Sequence, residues 1–308
     1  MNHLRWTRVP PHVQNAIVQQ IGPVDKDGAQ TVPGKPDEFA ARMYGADDHV
    51  FIKAIPTTSP YAYLHKHERW AARQIAVTAP SAPVPRKLWE TEVGANAGPR
   101  WYITAWELIN DHARPVDLRR GITADLPDAL DAVAQLGKLL TPCPPNTPTI
   151  VRRLQQDVVP KARLMLKTPR SAIASRDLYE RALDGFVIDR LNGETLLHSN
   201  LSPRHMLIKD KVASVVGWGR ACSGRAWIEP ALLAPHLVAG GFPPEEVQAL
   251  MWAVPSWAYT PKDLRAGLTA LWTLYHLHEA HFADEPDETS IRLADAGRQM
   301  LEYLVAEL

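Results

Sequence analysis

The chain has 308 residues, of which 45% are hydrophobic, and this is typical of a globular protein with one or two domains. Lys plus Arg and Asp plus Glu both number 34, so the formal net charge is zero. That balance argues against non-specific nucleic-acid binding and against a polybasic membrane anchor. Cys143 and Cys222 show no metal-binding spacing and favour a reducing compartment over a disulfide framework.

The chain carries no apolar run near the about 20 residues that cross a bilayer. Its first residues, "MNHLRWTRVPPHV", also lack the apolar region of a signal peptide. From these two features we expect a cytoplasmic protein that contacts no membrane.

The first ~110 residues are predicted to form small strands with one or two helices. In chain order the predicted elements are a helix over 11–21, a turn-rich stretch over 22–37, a hairpin over 39–54, a helix over 61–77 and a strand over 100–109. In the helix over 61–77, Leu64, Trp70 and Ile75 are expected to face inward.

From residue 124 onward the pattern becomes mainly helical. Helices are predicted over 124–140, 151–168 and 173–191, followed by two short strands in "HMLIK" and "ASVVGW". Two more helices are predicted, one that begins at Thr260 and a last one from Ser290 to the end of the chain. Core packing is expected for Trp218, Trp227, Trp252 and Trp257. The fold class is therefore α+β and bilobal, with a β-rich N-terminal lobe over 1–107 and a larger helical lobe over 108–308. Ligands usually bind in clefts between such lobes.

Three segments stand out in chain order. They are the strand "HVFIKAIP" with Lys53, the helix "HKHERWAARQI" with Glu68, and the stretch "LLHSNLSPRHMLI" over 196–208, followed by "VASVVGWGRACSGRAWIEP". With these residues the chain resembles the aminoglycoside phosphotransferase-like (kinase-like, choline kinase type) family over nearly its whole length. The most specific part is 196–235, where the family reads H-G-D-x-x-x-x-N, a hydrophobic strand, I-D-W and W-x-D.

The resemblance implies a protein-kinase-like fold and roles for individual residues. Lys53 matches the lysine that contacts the nucleotide phosphates, and Glu68 matches the helix glutamate that holds this lysine by an ion pair. His198 matches the loop histidine, whose role in the family is structural. ATP and magnesium are the cofactors of the family.

The chain departs from the family pattern at each position that carries chemistry. Asn200 stands at the catalytic Asp, His205 at the metal-binding Asn, and Gly217, in the metal loop 215–219, at the metal-binding Asp. Ser199 replaces the usual glycine. A carboxamide does not take up a proton at neutral pH, and magnesium prefers hard oxygen ligands. We therefore expect weak ATP binding and no magnesium site at the usual positions.

Other residues near these positions are alternatives for the missing chemistry. Glu229, Asp210 and Asp189 are alternatives for a replacement base or metal ligand, and His205 could act as a base or bind a softer metal. In "HLHEAH" over 276–281 the histidine spacing differs from H-E-x-x-H. The loop "TVPGKPDEFAA" has one glycine between two prolines, which stiffen it and remove amide donors for phosphates.

Two functions follow from the resemblance and its departures. The first is a pseudokinase that binds a peptide, a metabolite or a partner enzyme without transferring phosphate. The alternative is an atypical ATP-dependent phosphotransferase that acts on a small-molecule or peptide Ser/Thr hydroxyl. Natural-product biosynthesis is one setting for the alternative, because kinase-like proteins there phosphorylate Ser/Thr ahead of elimination.

Overall fold

The computed structural model describes residues 4–94, 98–109, 113–122, 124–169, 173–282 and 288–308. Two compact units divide the chain: the first comprises 1–113 and 214–220, and the second comprises 114–213 and 221–308. The sequence placed the boundary at 107. In the structure the division comes six residues later, and the segment 214–220 returns to the first unit.

The first unit is a five-stranded antiparallel sheet with two helices. The sheet order is β1-β2-β3-β5-β4. The elements are α1 (Pro11–Ile21), β1 (Val24–Thr31), β2 (Phe39–Gly45), β3 (His49–Pro56), α2 (Ala62–Thr78), β4 (Lys87–Val93) and β5 (Trp101–Glu107). The prediction of a turn-rich stretch was wrong for 24–31. This edge strand has few apolar residues and an irregular pairing with β2, so it lacks an alternating pattern.

Alternate residues of the central strands form the core of this unit. The core-facing residues that pack with Val13, Ile17 and Ile21 of α1 are Phe39, Ala41, Met43, Val50, Ile52, Ala54, Trp101, Ile103 and Ala105. Because side chains alternate along a strand, the residues between them point to the opposite face. Lys53 lies on that opposite face, in register with Ala40 and Thr104.

Helix α2 differs from its predicted orientation. Of the three residues expected to face inward, Ile75 is buried, whereas Leu64 and Trp70 are only partly buried. The buried face instead carries His65 and Glu68. The apolar pattern was misleading here because the buried face of α2 carries ionisable side chains that interact with Lys53 and Glu38, in addition to side chains that pack on the sheet.

The second unit is mainly helical. Its elements are β6 (Arg114–Pro115), α3 (Leu126–Leu139), α4 (Ile150–Arg153), a π-helical turn (Leu154–Val158), α5 (Val159–Lys167), α6 (Arg176–Leu183), β7 (Thr195–Leu197), β8 (Met206–Lys209), β9 (Val212–Val215, which ends in the first unit), β10 (Cys222–Gly224), α7 (Ile228–Ala239), α8 (Pro244–Met251), α9 (Lys262–Phe282) and α10 (Glu288–Ala306). Strand β7 pairs with β10, and the second sheet has the order β6-β8-β9.

Most predicted helices of the second unit are confirmed, with two differences. The helix expected over 151–168 is interrupted by the π-helical turn, and that over 173–191 is α-helical only from Arg176 to Leu183. Trp257 is buried as expected, but Trp252 is 59% exposed, so core packing was wrong for Trp252. In the part of the chain that the structure describes, no helix is long and apolar enough to cross a membrane.

Two helical glycines provide a test of the packing between α9 and α10. A Cβ at Gly297 would lie 2.2 Å from Thr273 Oγ1, and Thr273 is fully buried. A Cβ at Gly137 would lie 3.6 Å from its nearest neighbour, which is ordinary contact. In chemical denaturation, Gly297→Ala should lower the free energy of unfolding by about 1–3 kcal/mol. Gly137→Ala, the matched control, should raise it by about 0.5 kcal/mol through helix propensity. Equal effects would contradict the close approach of the two helices.

Candidate functional site

Lys53 and Glu68 are joined by the expected ion pair. The Lys53 ammonium donates to both carboxylate oxygens of Glu68, at 2.8 and 2.9 Å. Glu68 is buried and Lys53 partly buried. Burial alone would lower the pKa of Lys53, but the carboxylates of Glu68 and Glu38 outweigh it and raise this pKa. The lysine is therefore held as a cation by two acidic side chains, not one.

Glu38, which the sequence analysis did not consider, lies at the end of the loop between β1 and β2. Its carboxylate is buried and lies 2.6 Å from His65 Nε2. Its second oxygen accepts a hydrogen bond from the backbone N–H of Lys35 at 2.6 Å. Burial would raise the pKa of Glu38. The hydrogen bond from His65 and the charge of Lys53 outweigh burial and lower this pKa to about 2, so Glu38 is ionised at neutral pH.

Glu38 therefore occupies an anion-binding arrangement. A loop amide, an imidazole and a lysine ammonium all interact with this one carboxylate. Such donors in a loop between strands are suited to a phosphate oxygen. Here they are used by a carboxylate of the same chain.

The stretch over 196–208 lies in the second unit, where it begins in β7, forms the loop after that strand and ends in β8. His198 is fully buried, and its Nδ1 accepts a hydrogen bond from the backbone N–H of Asn200 at 3.3 Å. His205 Nδ1 lies 2.8 Å from Ser202 Oγ, and the rings of His198 and His205 are 5.0 Å apart. The two histidines thus contribute to the shape of the loop on both sides of Asn200.

Glu229, at the start of α7, supports the same loop from inside the unit. It is 2% exposed, and its Oε1 accepts a hydrogen bond from the backbone N–H of Ser199 at 2.7 Å. Burial raises the pKa of Glu229 to about 7, although hydrogen bonds from the Ser199 and His198 amides and the charge of Arg153 partly oppose this. The carboxylate is directed at loop amides, which favours a positioning role over that of a replacement base.

Ser199 stands where the sequence resemblance led us to expect glycine, and its backbone has a φ of 59°, in the left-handed region that non-glycine residues rarely adopt. Arg153, the last residue of α4, donates to both the carbonyl and the hydroxyl of Ser199. The buried Cys222 thiol lies beside this contact, and burial raises its pKa to about 11. The side chain of Ser199 thus gains a partner that glycine could not have.

Gly217 belongs to the first unit, whereas Asn200 and His205 belong to the second. Its φ is 87°, which disfavours any residue with a Cβ. Position 217 thus lacks a side chain and has a backbone conformation that favours glycine. Within the described ranges, no group of three or more His, Cys, Asp or Glu side chains is arranged to hold a metal ion.

Sequence analysis missed Glu38, His65 and Arg153. His65 precedes Glu68 by three residues, and side chains at that spacing share one face of a helix, so this spacing was a usable signal. Glu38 and Arg153 gave none, because their partners are 27 and 46 residues away in the chain.

A lysine substitution tests the buried ion pair in the first unit. Lys53→Ala leaves Glu68 and Glu38 without their cation, so the free energy of unfolding should fall by about 3 kcal/mol. Lys66→Ala, on the exposed side of α2, is the control and should change it by less than about 0.5 kcal/mol. Urea denaturation without ligand measures both. An unchanged stability in Lys53→Ala would show that the pair does not support the fold.

The raised pKa of Glu229 gives a pH dependence with a defined sign. The folded pKa is about 7 and the unfolded value 4.5, so the folded state binds more protons between these pH values. This carboxyl therefore makes stability fall as pH rises from 4.5 to 7, by roughly 3 kcal/mol. Glu229→Gln should match the wild type at pH ~4.5 and exceed it at pH ~8. Glu180→Gln, at an exposed site, should leave the pH profile unchanged, and parallel profiles for all three proteins would contradict the assignment.

Comparison with known sequences finds no matching family model and no matching curated protein. Comparison of structures finds aminoglycoside phosphotransferases and related kinases. A thermostable mutant of aminoglycoside phosphotransferase APH(4)-Ia, solved with ADP and hygromycin B, has a TM-score of 0.62 and 14% identity, over 96% of this chain and 98% of that one.

Two further solved structures have a similar fold. Amicoumacin kinase, solved with AMP-PNP and Ca²⁺, has a TM-score of 0.62 and 9% identity, over 94% of this chain and 93% of the other. A choline/ethanolamine kinase family protein from Mesorhizobium loti has a TM-score of 0.57 and 14% identity, over 94% of each chain. At these identities the likeness establishes the fold, and the chain has the α+β fold of the aminoglycoside phosphotransferases and of choline/ethanolamine kinase-like proteins.

Proposed function

We propose that this protein is a pseudokinase, a binding subunit with a phosphotransferase fold that does not transfer phosphate. Its ligand is a peptide, a small molecule or a partner enzyme. The observation that carries the proposal is the buried carboxylate of Glu38, which accepts from the Lys35 amide, contacts His65 and interacts electrostatically with Lys53. The loop amide and the lysine charge are groups that a nucleotide phosphate would need.

The charges near Lys53 disfavour a triphosphate. One ammonium is matched by two carboxylates, and the pKa of Glu38, about 2, keeps its charge in place at neutral pH. Two like charges about 4 Å apart near a protein surface repel by about 4 kcal/mol, close to a thousandfold in affinity. A bound phosphate would therefore either remain weakly held or displace Glu38 from His65 and the Lys35 amide.

The loop in the second unit supports the same function. Asn200 has no carboxylate to accept a proton, and His205 offers nitrogen where the family offers a metal-binding oxygen. Glu229, the buried carboxylate near this loop, accepts hydrogen bonds from loop amides instead. The loop keeps its framework while lacking the groups that perform the transfer.

The second candidate is an ATP-dependent phosphotransferase for a small-molecule or peptide hydroxyl. The Lys53–Glu68 ion pair favours it, because this pair is what a working kinase-like site needs to place the lysine. The similar structures solved with ADP or AMP-PNP make nucleotide binding plausible for this fold. In this candidate Asn200 would orient the acceptor hydroxyl through its amide oxygen.

Removing one charge separates the two candidates. We expect weak ATP binding by the wild type, with magnesium changing the affinity by less than about threefold. Glu38→Gln keeps the shape and an acceptor oxygen but removes the charge, so it should raise ATP affinity by about tenfold or more. Calorimetric titration with and without magnesium measures both effects.

The control is Asp37→Asn, which removes the same charge from the neighbouring exposed residue. It should change ATP affinity by less than about twofold, since exposed charges are screened. Tight magnesium-dependent ATP binding by the wild type, together with phosphate transfer that Asn200→Ala abolishes, would replace the pseudokinase with the phosphotransferase.

A further inference from the structure

Three cations of the first unit converge on one carboxylate, that of Glu90 on β4. Arg69 Nε lies 2.7 Å from one of its oxygens, and Arg73 Nη2 lies 2.8 Å from the other. Lys87 Nζ lies 3.0 Å from the oxygen that Arg69 contacts. We call these four side chains the Glu90 cluster.

The secondary structure of the first unit brings the cluster together. Its two arginines are four residues apart on α2, so they share one face of that helix. On β4, Lys87 is paired with Trp106 of β5 and Glu90 with Thr104, and the pairing shifts after Lys87. Since the two β5 residues are two apart and face the same side, their partners also face one side, although they are three apart.

Positive charge exceeds negative charge in this cluster, because three cations against one carboxylate leave an excess of two. Burial would raise the pKa of Glu90, but hydrogen bonds from Arg69 and Lys87 and their charges outweigh it and lower this pKa. Among the described residues, no second carboxylate lies at ion-pair distance from the three cations. Two other exposed arginines of this unit form one-to-one ion pairs, which are Arg86–Glu107 and Arg100–Glu92.

The cluster is accessible to solvent through Arg73, whose side chain is 55% exposed, whereas that of Arg69 is 13% exposed. A carboxylate offers about four lone-pair sites, and two guanidinium groups and an ammonium carry many more N–H donors than that. Val77 lies one turn after Arg73 on the same face of α2 and is 83% exposed. An unsaturated cationic site and an exposed apolar side chain are therefore neighbours on one helix.

We propose that the Glu90 cluster docks an acidic segment of a partner protein, in which a Glu or Asp side chain is flanked by an apolar one. The carboxylate of the segment binds Arg73, whose planar donor fork suits it, and offsets part of the excess charge. The apolar side chain packs on Val77. The cluster spans about one helical turn and the chain has zero formal net charge, so the basic stripe that a nucleic acid requires is not formed here.

The inference goes beyond the proposed function and does not depend on it. A pseudokinase and a phosphotransferase would both use such a surface to hold a partner protein. Its test contains no nucleotide, so its outcome is separate from that of the ATP titration.

A short peptide of glutamate and leucine residues is the probe, titrated into the full chain by calorimetry at low ionic strength. We expect a Kd below about 1 mM, and about tenfold weaker binding of a matched peptide with glutamine in place of glutamate. Arg73→Gln and Val77→Ser should each weaken binding of the glutamate peptide by about threefold. Glu90→Gln leaves the three cations without their carboxylate, so it should strengthen binding by about tenfold.

Arg8→Gln is the matched control, because it removes the same charge from an exposed site of the same unit outside the cluster, and it should leave binding unchanged. Melting temperatures establish that the variants are folded, and Arg73→Gln, at a more exposed site, keeps the test valid if Glu90→Gln is not. Equal binding of the two peptides would overturn the proposal, as would unchanged or weaker binding by folded Glu90→Gln. So would absence of binding at about 10 mM peptide, or binding of phosphatidylserine vesicles in place of the peptide.

Discussion

The Lys53 ammonium, which is paired with Glu68 and also feels the charge of Glu38, is the constraint on which the first unit depends. One partner, Glu68, comes from α2 and fixes that helix against the sheet. The other, Glu38, comes from the loop between the first two strands and connects it to His65 of the same helix. Any change in the charge of this group therefore acts on a strand, a loop and a helix together.

In the second unit, the loop around Asn200 is held by contacts to the preceding residue. Glu229 accepts a hydrogen bond from the Ser199 amide, and Arg153 of α4 donates to the Ser199 carbonyl and hydroxyl. These contacts involve the backbone and side chain of Ser199, so they do not depend on which side chain stands at position 200. Backbone hydrogen bonds therefore contribute to the loop conformation independently of that side chain.

The buried charge around Lys53 in the first unit is matched by charges of the same chain. The ammonium of Lys53 donates to Glu68, and the charges of Glu68 and Glu38 outweigh the burial that would lower the pKa of this lysine. Glu38 in turn interacts with His65 and with the Lys35 amide. Each of these buried charges therefore has an oppositely charged or hydrogen-bonding partner within the unit.

The sequence by itself determined the fold class, most helices, and the pairing of Lys53 with Glu68. Hydrophobic periodicity and short motifs involve residues close together in the chain, so a single sequence is enough to detect them. The residue types at Asn200, His205 and Gly217, which differ from the pattern of the resembling family, were likewise evident from the sequence. Only the tertiary structure decided that Glu38 interacts with His65 and with the charge of Lys53, that Arg153 and Glu229 hold Ser199, and that rings from α7 and α9 meet. These contacts join residues far apart in the chain through side chains whose types also occur on solvated surfaces. No spacing rule predicts them, and they follow from how the backbone elements pack.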